Sequence, residues 1–382
     1  MTAVERTVLL GVPLARLGMA DTLDWIDRAL ASGESHQIAT ANVSFLALAR
    51  RDPDFLRILQ DASLVTADGM PLCWASRLLG APVGERVTGA DLVPSLFALA
   101  ARRGYRIFLM GPPQSTEEAA RRLCARYPGA SVVGIETPPY APIEDWDNAA
   151  YCARIREART DALLLGFGAP KQERWIARYL PETGARVAIG VGGTFDLVAG
   201  RVRRAPATLQ AVGLEWLWRL CAEPRRLWRR YFFDAAVVGP RLVAQLASAH
   251  RAARRARRGA AGRARVRRAR DGGFVLSLAG RLDASELPAL RHAIREIRGA
   301  PVSLVVDAAD VTYLAPTVLG ELVALVGWTR ATGGGVVFVE SPGVSGLLER
   351  AGLDTLAPRA LSVPEALGRL RQEHKRRLAV AA

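Results

Sequence analysis

Short apolar runs alternate with helix-like segments over the first 200 residues of this 382-residue chain. The runs are HQIAT (36–40), SLVTA (63–67), YRIFLM (105–110), ALLLG (162–166) and RVAIGVG (186–192). Strands that alternate with helices in this way predict an α/β domain with an open, largely parallel sheet. Because a single core rarely grows beyond about 250–300 residues, the remaining length predicts a second domain.

Each apolar run ends in a polar or glycine-rich turn. The turns contain Thr40 with Asn42, then Asp68, Gly111, Gly166 and Gly192. In a parallel sheet the carboxyl ends of all strands lie at one edge, so these five turns should converge on one crevice, where such folds bind ligands. The pattern therefore predicts the location of a ligand site without assigning a function to any single residue.

Two of these turns each allow a functional and a structural interpretation. Asp68 is either a general base for a hydroxyl nucleophile or, with Gly69, a turn-forming pair. Gly192 and Gly193 either offer backbone N–H groups to a phosphate or form an ordinary strand-to-helix turn. The surrounding segment GVGGTFD matches neither the GxGxxG nor the Walker pattern, so it indicates neither dinucleotide nor P-loop binding.

Two polar clusters elsewhere in the sequence also allow both a functional and a structural interpretation. Lys171-Gln172-Glu173 either binds a sugar or diphosphate or simply begins a helix. Asp145-Trp146-Asp147 has the DxD form of metal-dependent sugar-nucleotide enzymes, but acids at a helix start also cap backbone N–H groups, and we favour capping. Four histidines and four widely spaced cysteines give no metal-site or disulfide pattern, so we expect no metal or cofactor and a reducing cytoplasm.

A strongly basic block follows the first domain. Residues 201–270 hold 19 arginines and three acids, which is more positive charge than the net +15 of the whole chain. Trp216, Trp228, Tyr231, Phe232 and other large apolar residues lie among the arginines. This mixture is typical of an interfacial membrane segment, although packing of the aromatics on the parent domain is the alternative. Nucleic-acid binding by charge alone is the least favoured interpretation.

The chain therefore divides, by prediction, into five parts. Residues 1–200 form the first α/β domain, 201–250 a basic aromatic membrane-binding appendage and 251–270 an arginine-rich linker. A small α/β domain follows at 271–370, with a tail at 371–382. No stretch of about 18 uninterrupted apolar residues is present, so a spanning helix is not expected.

Six motifs in chain order resemble the WecG/TagA/CpsF glycosyltransferases over about 230 residues. They are TAN (40–42), LVTADG (64–69), ERVTGADL (85–92), GFGAPKQE (166–173), GGTFD (192–196), and RAP (204–206) followed by Glu215-Trp216 and Arg219. The resemblance implies a Rossmann-like fold and an inverting, metal-independent enzyme. Such an enzyme moves an N-acetylmannosamine-type or related sugar from a UDP donor to a polyprenyl-diphosphate-linked sugar during cell-envelope polysaccharide synthesis.

The same resemblance implies roles for individual residues and a location. Asp68 would be the general base, and Thr40, Asn42 and Gln172 would line the substrate pocket. Further substrate contacts are implied for Arg86, Gly111, Lys171, Gly192 and Gly193, with the appendage arginines Arg219, Arg226 and Arg229 closing over the donor diphosphate. The enzyme would lie peripherally on the inner face of the plasma membrane.

Residues 272–370 resemble a STAS domain, the fold of anti-sigma-factor antagonists. GRLD (280–283) and LVVD (304–307) carry the resemblance. Ala315-Pro316-Thr317-Val318 replaces the family's Asp-Ser-Ser-Gly phosphorylation motif, so the acceptor serine has become Pro316 and only Thr317 could substitute. We therefore expect a protein-docking or self-association surface. An alternative for the whole chain is a catalytically degenerate, membrane-associated adaptor that acts through this module.

Overall fold

The computed structural model describes residues 4–211, 213–256, 260–269, 273–297 and 303–381. The chain folds as two compact units. Unit 1 consists mainly of Leu14–Trp74 and Val83–Val238. Unit 2 combines Glu5–Pro13 and Ala75–Pro82 with Gly239–Ala382. The predicted start of the second domain at residue 271 lies outside the described residues.

A small two-stranded sheet opens the chain, formed by β1 (Arg6–Leu9) and β2 (Val12–Ala15). The strands that follow in unit 1 are β3 (His36–Ala41), β4 (Leu64–Ala67), β5 (Arg106–Met110), β6 (Ser131–Glu136), β7 (Ala162–Leu165) and β8 (Val187–Gly190). The helices up to residue 256 are α1 (Met19–Ala31), α2 (Val43–Ala49), α3 (Pro53–Asp61), α4 (Met70–Leu78), α5 (Gly89–Arg103), α6 (Pro113–Arg126), α7 (Asn148–Glu157), α8 (Lys171–Thr183), α9 (Thr194–Val198), α10 (Ala207–Ala211), α11 (Glu215–Ala222) and α12 (Pro224–Ala256).

Unit 1 is built on an open parallel sheet in the order β4-β3-β8-β7-β5-β6. All five apolar runs of the sequence are strands in it, namely β3, β4, β5, β7 and β8. The α/β fold predicted from the alternating pattern is thus confirmed. The sixth strand, β6, lies at the edge of the sheet and is only partly buried, which explains why its apolar signal is weak.

Both faces of this sheet are covered by helices, as its almost wholly apolar strands require. In β7, Leu164 belongs to one hydrophobic cluster, whereas Leu163 and Leu165 belong to another on the opposite face. The first cluster includes Leu96 of α5, and the second includes Trp175 of α8. The sheet therefore forms the rigid centre of unit 1, and the loops at its carboxyl edge are left to carry polar groups.

Unit 2 contains a second sheet in the order β13-β12-β11-β10-β9. Its elements are β9 (Arg263–Arg268), β10 (Phe274–Leu282), β11 (Leu304–Leu314), β12 (Val336–Glu340), β13 (Arg359–Ala360), α13 (Leu287–Ile297), α14 (Pro316–Ala331), α15 (Pro342–Ala351) and α16 (Val363–Ala381). All pairings are parallel except that of β9 with β10, which is antiparallel. The small C-terminal α/β domain predicted from the sequence is therefore present.

Three features of unit 2 differ from the sequence-based expectation. Strand β9 lies within residues 251–270, the expected linker, because Ala264 and Val266 face the core between exposed arginines. The pattern of SLVVDAADVTYL (303–314) predicts a strand followed by a second, short strand, but the structure has one long strand here, β11. The expected tail at 371–382 continues helix α16 as far as Ala381.

Candidate functional site

The polar turns of unit 1 lie at one edge of the sheet. Strands β4, β3, β8, β7 and β5 are neighbours in this order and run parallel, so the loops that follow them share the carboxyl edge. The backbone N–H of Asp68 donates to the carbonyl oxygen of Ala41 at 2.7 Å, which holds the turn after β4 against the end of β3. The crevice expected from the strand order therefore begins beside Asp68.

Asp68 is a carboxyl group whose surroundings favour its neutral form. Burial raises its pKa from 3.8 to about 6, and the nearby Glu215 adds to the rise. Arg219, Arg86 and a hydrogen bond from the Gly89 backbone act in the opposite direction. A carboxyl group with a pKa near 6 is still largely ionised at neutral pH and binds a proton more readily than an ordinary aspartate, which suits a general base.

An arginine cluster surrounds Glu215 next to Asp68. Glu215 is 8 % exposed, and its carboxylate lies 2.6 Å from Arg86 Nη1, 3.8 Å from Arg204 Nε and 3.9 Å from Arg219 Nη2. Arg204 also lies 2.6 Å from Asp91. One buried acid thus organises three guanidinium groups, and their remaining N–H groups match the geometry of phosphate oxygens.

The sequence pointed to only part of this cluster. Arg86 and Arg219 were predicted substrate contacts and belong to the cluster, but Arg204 and Glu215 were quoted only as motif positions. Arg204 stands 11 residues before Glu215 and 113 residues after Asp91, so spacing alone could not pair it with either acid. The side chain of Arg226 lies outside the described residues. Arg229 is exposed on α12, with its guanidinium carbon 5.6 Å from the ring centroid of Trp228.

Gln172 holds two glycine-rich loops together. Its Oε1 accepts hydrogen bonds from the backbone N–H groups of Gly168 and Gly192, each at 3.1 Å. Both glycines have positive φ, +79° and +52°, which side chains disfavour. Gln172 is only 2 % exposed, so the structure gives this predicted substrate contact a supporting position between the loops after β7 and β8.

Glu173 lies directly beneath Gln172 and is fully buried. Gln172 Nε2 donates to Glu173 Oε1 at 2.6 Å, which fixes the orientation of the Gln172 amide. Burial raises the pKa of Glu173 from 4.5 to about 7, and its second oxygen has no hydrogen-bond partner. The sequence placed Glu173 in a polar cluster but could not show that its carboxyl group orients the Gln172 amide.

Two of the glycine turns are shaped by Phe195. A Cβ atom at Gly111 would lie 2.9 Å from the Phe195 ring, and one at Gly166 would lie 2.5 Å from it. Any larger residue at either turn would displace this buried ring. At Gly193, in contrast, no atom lies within 4 Å of the Cβ position, so there is open space above the turn for a ligand to approach the backbone.

Thr40 and Asn42 make structural hydrogen bonds beside the crevice. Thr40 is 5 % exposed, and its hydroxyl donates to the Gly190 carbonyl at 3.1 Å, which links β3 to β8. Asn42 Oδ1 caps α2 by accepting from the backbone N–H groups of Ser44 and Phe45. Both residues therefore position the strand end next to Asp68, and their proposed contact with substrate stays a prediction.

Lys171 packs against the loop that precedes α7. Its Nζ donates to the Ala141 carbonyl at 2.6 Å and lies 5.2 Å from the Trp146 ring centroid. Asp147 caps α7 through the backbone N–H of Ala150, in agreement with the capping interpretation of Asp145-Trp146-Asp147. Within the ranges that the structure describes, no group of three His, Cys, Asp or Glu side chains is arranged to hold a metal ion.

The large apolar residues of the basic appendage divide into a buried set and an exposed set. Leu227 and Val238 are buried, and Trp218 Nε1 donates to the Arg203 carbonyl at 3.4 Å. Trp216, Leu217, Trp228, Phe232 and Phe233 are 40–63 % exposed. Asp234 of α12 accepts from Ser44 of α2, which anchors the helix to the sheet edge. No helix in the described part of the chain is long and apolar enough to cross a bilayer.

Comparison with known proteins assigns two families to this chain. Residues 7–252 match the model of the glycosyl transferase WecG/TagA/CpsF family, and residues 266–361 match that of the Mlab-type STAS domain. The chain is 31% identical to an N-acetylglucosaminyldiphosphoundecaprenol N-acetyl-beta-D-mannosaminyltransferase of Bacillus spizizenii, over 54% of this chain and 84% of that protein. A Staphylococcus aureus protein of the same name is 29% identical over 60% of this chain and 91% of its own length.

Among solved structures, an anti-sigma factor antagonist from Mycobacterium paratuberculosis is 26% identical to this chain, with a TM-score of 0.24. The match covers 29% of this chain and 95% of the antagonist chain.

The family match of the first 250 residues covers well over half of the chain and includes Asp68 and the arginine cluster. The chain therefore belongs to the WecG/TagA/CpsF family of glycosyl transferases, with a STAS domain fused after the family region.

Proposed function

We infer that this protein is an inverting glycosyltransferase that moves an N-acetylmannosamine-type sugar from a UDP donor to a polyprenyl-diphosphate-linked sugar. The observation that carries this proposal is the position of Asp68, a carboxyl group with a raised pKa, beside three arginines organised by Glu215. A base next to a phosphate-binding cluster is the arrangement that sugar transfer from a nucleotide diphosphate needs. The names of the Bacillus and Staphylococcus relatives support the choice of sugar and lipid acceptor.

The proposed reaction is a single displacement. The acceptor hydroxyl oxygen attacks the anomeric carbon of the donor sugar while its proton passes to the Asp68 carboxylate. The bond between the anomeric carbon and the diphosphate oxygen breaks on the opposite side, so UDP leaves and the anomeric configuration inverts. Arg86, Arg204 and Arg219 offset the negative charge that develops on the leaving diphosphate.

The exposed aromatics suit an acceptor that is anchored in a membrane. Trp228, Phe232 and Phe233 lie on α12 among exposed arginines, and aromatic rings with guanidinium groups favour the headgroup region of an anionic bilayer. We therefore propose that α11 and α12 hold the enzyme peripherally on the inner face of the membrane. This placement would bring a lipid-linked sugar to the crevice without a spanning helix.

The proposal is tested by measuring UDP release and glycosyl transfer with a polyprenyl-diphosphate-linked N-acetylglucosamine acceptor. Asp68→Asn retains the size of the side chain but removes the proton acceptor, so turnover should fall by about 10²- to 10⁴-fold while donor binding changes little. Asp24→Asn is the matched control, because Asp24 is an exposed aspartate on α1 and should leave turnover unchanged. Full activity of Asp68→Asn would remove Asp68 from the mechanism.

A screen of UDP-sugars with the wild-type protein distinguishes the enzyme from the adaptor alternative. Turnover of at least one donor is the expected result. If every UDP-sugar fails with a lipid-linked acceptor while the protein still binds anionic vesicles, the degenerate adaptor interpretation is correct and the enzymatic proposal is wrong.

A further inference from the structure

We propose that the STAS domain is an internal docking module whose ligand is the start of its own chain, Glu5–Pro13. The family model matches from residue 7, so seven of these nine residues belong to the matched region, yet the whole segment folds as part of unit 2 together with the STAS domain. The surface that binds them is formed by α14, α13, the end of α15 and the second half of α12.

Helix α14 is buried on every side. Residues 316–323 are buried without interruption, and eight consecutive residues cover all faces of two helical turns. A helix that packs only on a sheet buries one face and leaves the other in water. The outer face of α14 is therefore covered by something else, and the strand that contacts it is β1.

Gly320 shows how closely the two segments approach. A Cβ atom at this position would lie 2.4 Å from the carbonyl oxygen of Arg6 and 2.9 Å from the Arg6 Cβ. Glycine in the middle of a helix is ordinarily unfavourable, so its presence fits a need for close backbone contact. Gly352, just after α15, makes a second such contact, because a Cβ atom there would lie 2.5 Å from the backbone of Leu10.

One amide side chain of α12 pairs with the turn between β1 and β2. Gln245 is 4 % exposed, its Nε2 donates to the Val8 carbonyl at 2.9 Å, and its Oε1 accepts from the Leu10 N–H at 3.1 Å. The hydroxyl of Thr7 donates to the Ala81 carbonyl at 2.6 Å. These bonds satisfy backbone groups that would otherwise be buried without partners.

Apolar and charged contacts complete the docking site. Val8 is fully buried in the same hydrophobic cluster as Leu290 of α13 and Leu319 of α14. Arg291 lies 3.2 Å from Glu5 and 2.7 Å from Glu321, so it bridges the docked segment and α14. The site thus matches Glu5–Pro13 in shape, in hydrogen bonding and in charge, as expected of a specific interface.

The docked segment also limits what the module can do for other proteins. Thr317 is 6 % exposed in the first turn of α14, so its hydroxyl is not on the surface. A face already covered by the chain itself offers no further area to a partner. The module therefore holds the beginning of the family region in place, and its role is structural support within one chain.

Hydrogen exchange of the full-length protein, followed by mass spectrometry, tests this proposal. In the wild-type protein the amides of residues 5–13 should be protected to the level of strand β11, because they are buried in the same unit. Gly320→Ala should raise the exchange rate of residues 5–13 by about tenfold or more, since the added methyl group displaces β1. Gly368→Ala, in the open space on α16, is the matched control and should leave this rate unchanged.

Gln245→Leu provides a second variant that does not crowd the helix. It removes both hydrogen bonds to the β1–β2 turn and should also raise exchange in residues 5–13, even if Gly320→Ala fails to fold. Exchange of wild-type residues 5–13 at the rate of an unstructured peptide would overturn the proposal. Unchanged protection of this segment in both variants would overturn it as well.

Discussion

Asp68 can accept a proton only while it is ionised, and this sets the pH dependence of the proposed reaction. Its pKa is raised to about 6, mainly by burial. We expect turnover to fall about tenfold for each pH unit below 6 and to reach a plateau above 7. The measurement is a pH profile of turnover at saturating donor. An unchanged rate down to pH 4.5, near the ordinary range of a carboxyl group, would show that Asp68 does not carry the proton.

Glu173 gives a second pH effect, on stability rather than rate. Its pKa is raised from 4.5 to about 7 in the folded protein, so between these values the folded state binds more protons than the unfolded state. The stabilising contribution is complete below pH 4.5 and is lost as the pH rises through about 7. In Glu173→Gln, which cannot ionise, this loss should be absent.

Thermal unfolding of both proteins between pH 5 and pH 8 measures the effect. The melting temperature of the wild-type protein should decrease more steeply over this range than that of Glu173→Gln. Glu34→Gln is a control, because Glu34 is an exposed residue outside the sheet. Parallel curves for wild type and Glu173→Gln would mean that the buried carboxyl group is not neutral in the folded state.

The location of a functional residue was predictable where the residues next to it in the sequence determine that location. Asp68 follows a strand directly, so its place at the sheet edge follows from the apolar run before it. The grouping of Arg86, Arg204 and Arg219 around Glu215 was not predictable from spacing, because it depends on chain segments that are more than 100 residues apart. The supporting position of Gln172 was not predictable either, since the sequence does not show that a polar residue in the first turn of a helix is buried.

Helix α12 carries the exposed aromatic residues on which the proposed membrane contact depends. Trp228→Ser, Phe232→Ser and Phe233→Ser together remove three rings that are more than half exposed. Burial of each large apolar side chain contributes about 1.5–3 kcal/mol, so partial insertion of three rings predicts at least roughly 100-fold weaker binding to anionic vesicles. Vesicle sedimentation with the full-length protein measures this change.

Leu361→Ser is the control for that experiment, because Leu361 is 94 % exposed on unit 2 and distant in sequence from the appendage. It should leave vesicle binding unchanged. Equal sedimentation of the triple variant and the wild type would show that the rings do not enter the bilayer. Binding to duplex DNA as strong as that to vesicles would instead favour the nucleic-acid interpretation of the basic block.

At the level of elements, the sequence predicted strands best when they are fully buried. Strands β3, β4, β5, β7 and β8 of unit 1 are mostly apolar and almost wholly buried, as parallel strands covered on both faces must be. The edge strands β6 and β9 were missed because β6 is only partly buried, and in β9 exposed arginines at 263, 265, 267 and 268 outnumber the residues that face a core. Edge strands rich in charge are common because they discourage unwanted pairing.

The division of the whole molecule into units could not be predicted from the chain order. The sequence predicts domain boundaries from shifts in composition, and these cannot show that Glu5–Pro13 and Ala75–Pro82 join a unit formed largely by residues after 239. Val8 and its neighbours look like any short buried strand, and the other buried residues of the hydrophobic cluster that contains Val8 lie more than 260 positions away. Long-range packing, rather than local pattern, assigns this segment to its unit.

A truncated chain tests whether the protection of residues 5–13 against proteolysis depends on the STAS domain. A protein ending at residue 256 keeps the family region but loses α13, α14 and α15, so Val8 would lose the hydrophobic cluster that buries it. Trypsin should then cut after Arg6 about tenfold faster or more, since cleavage follows the fraction of time that a segment is open. A chain ending at residue 373 retains α14 and the buried Leu370 and should resist like the full-length protein. Equal cleavage rates for all three proteins would mean that residues 5–13 are held in place without the STAS domain.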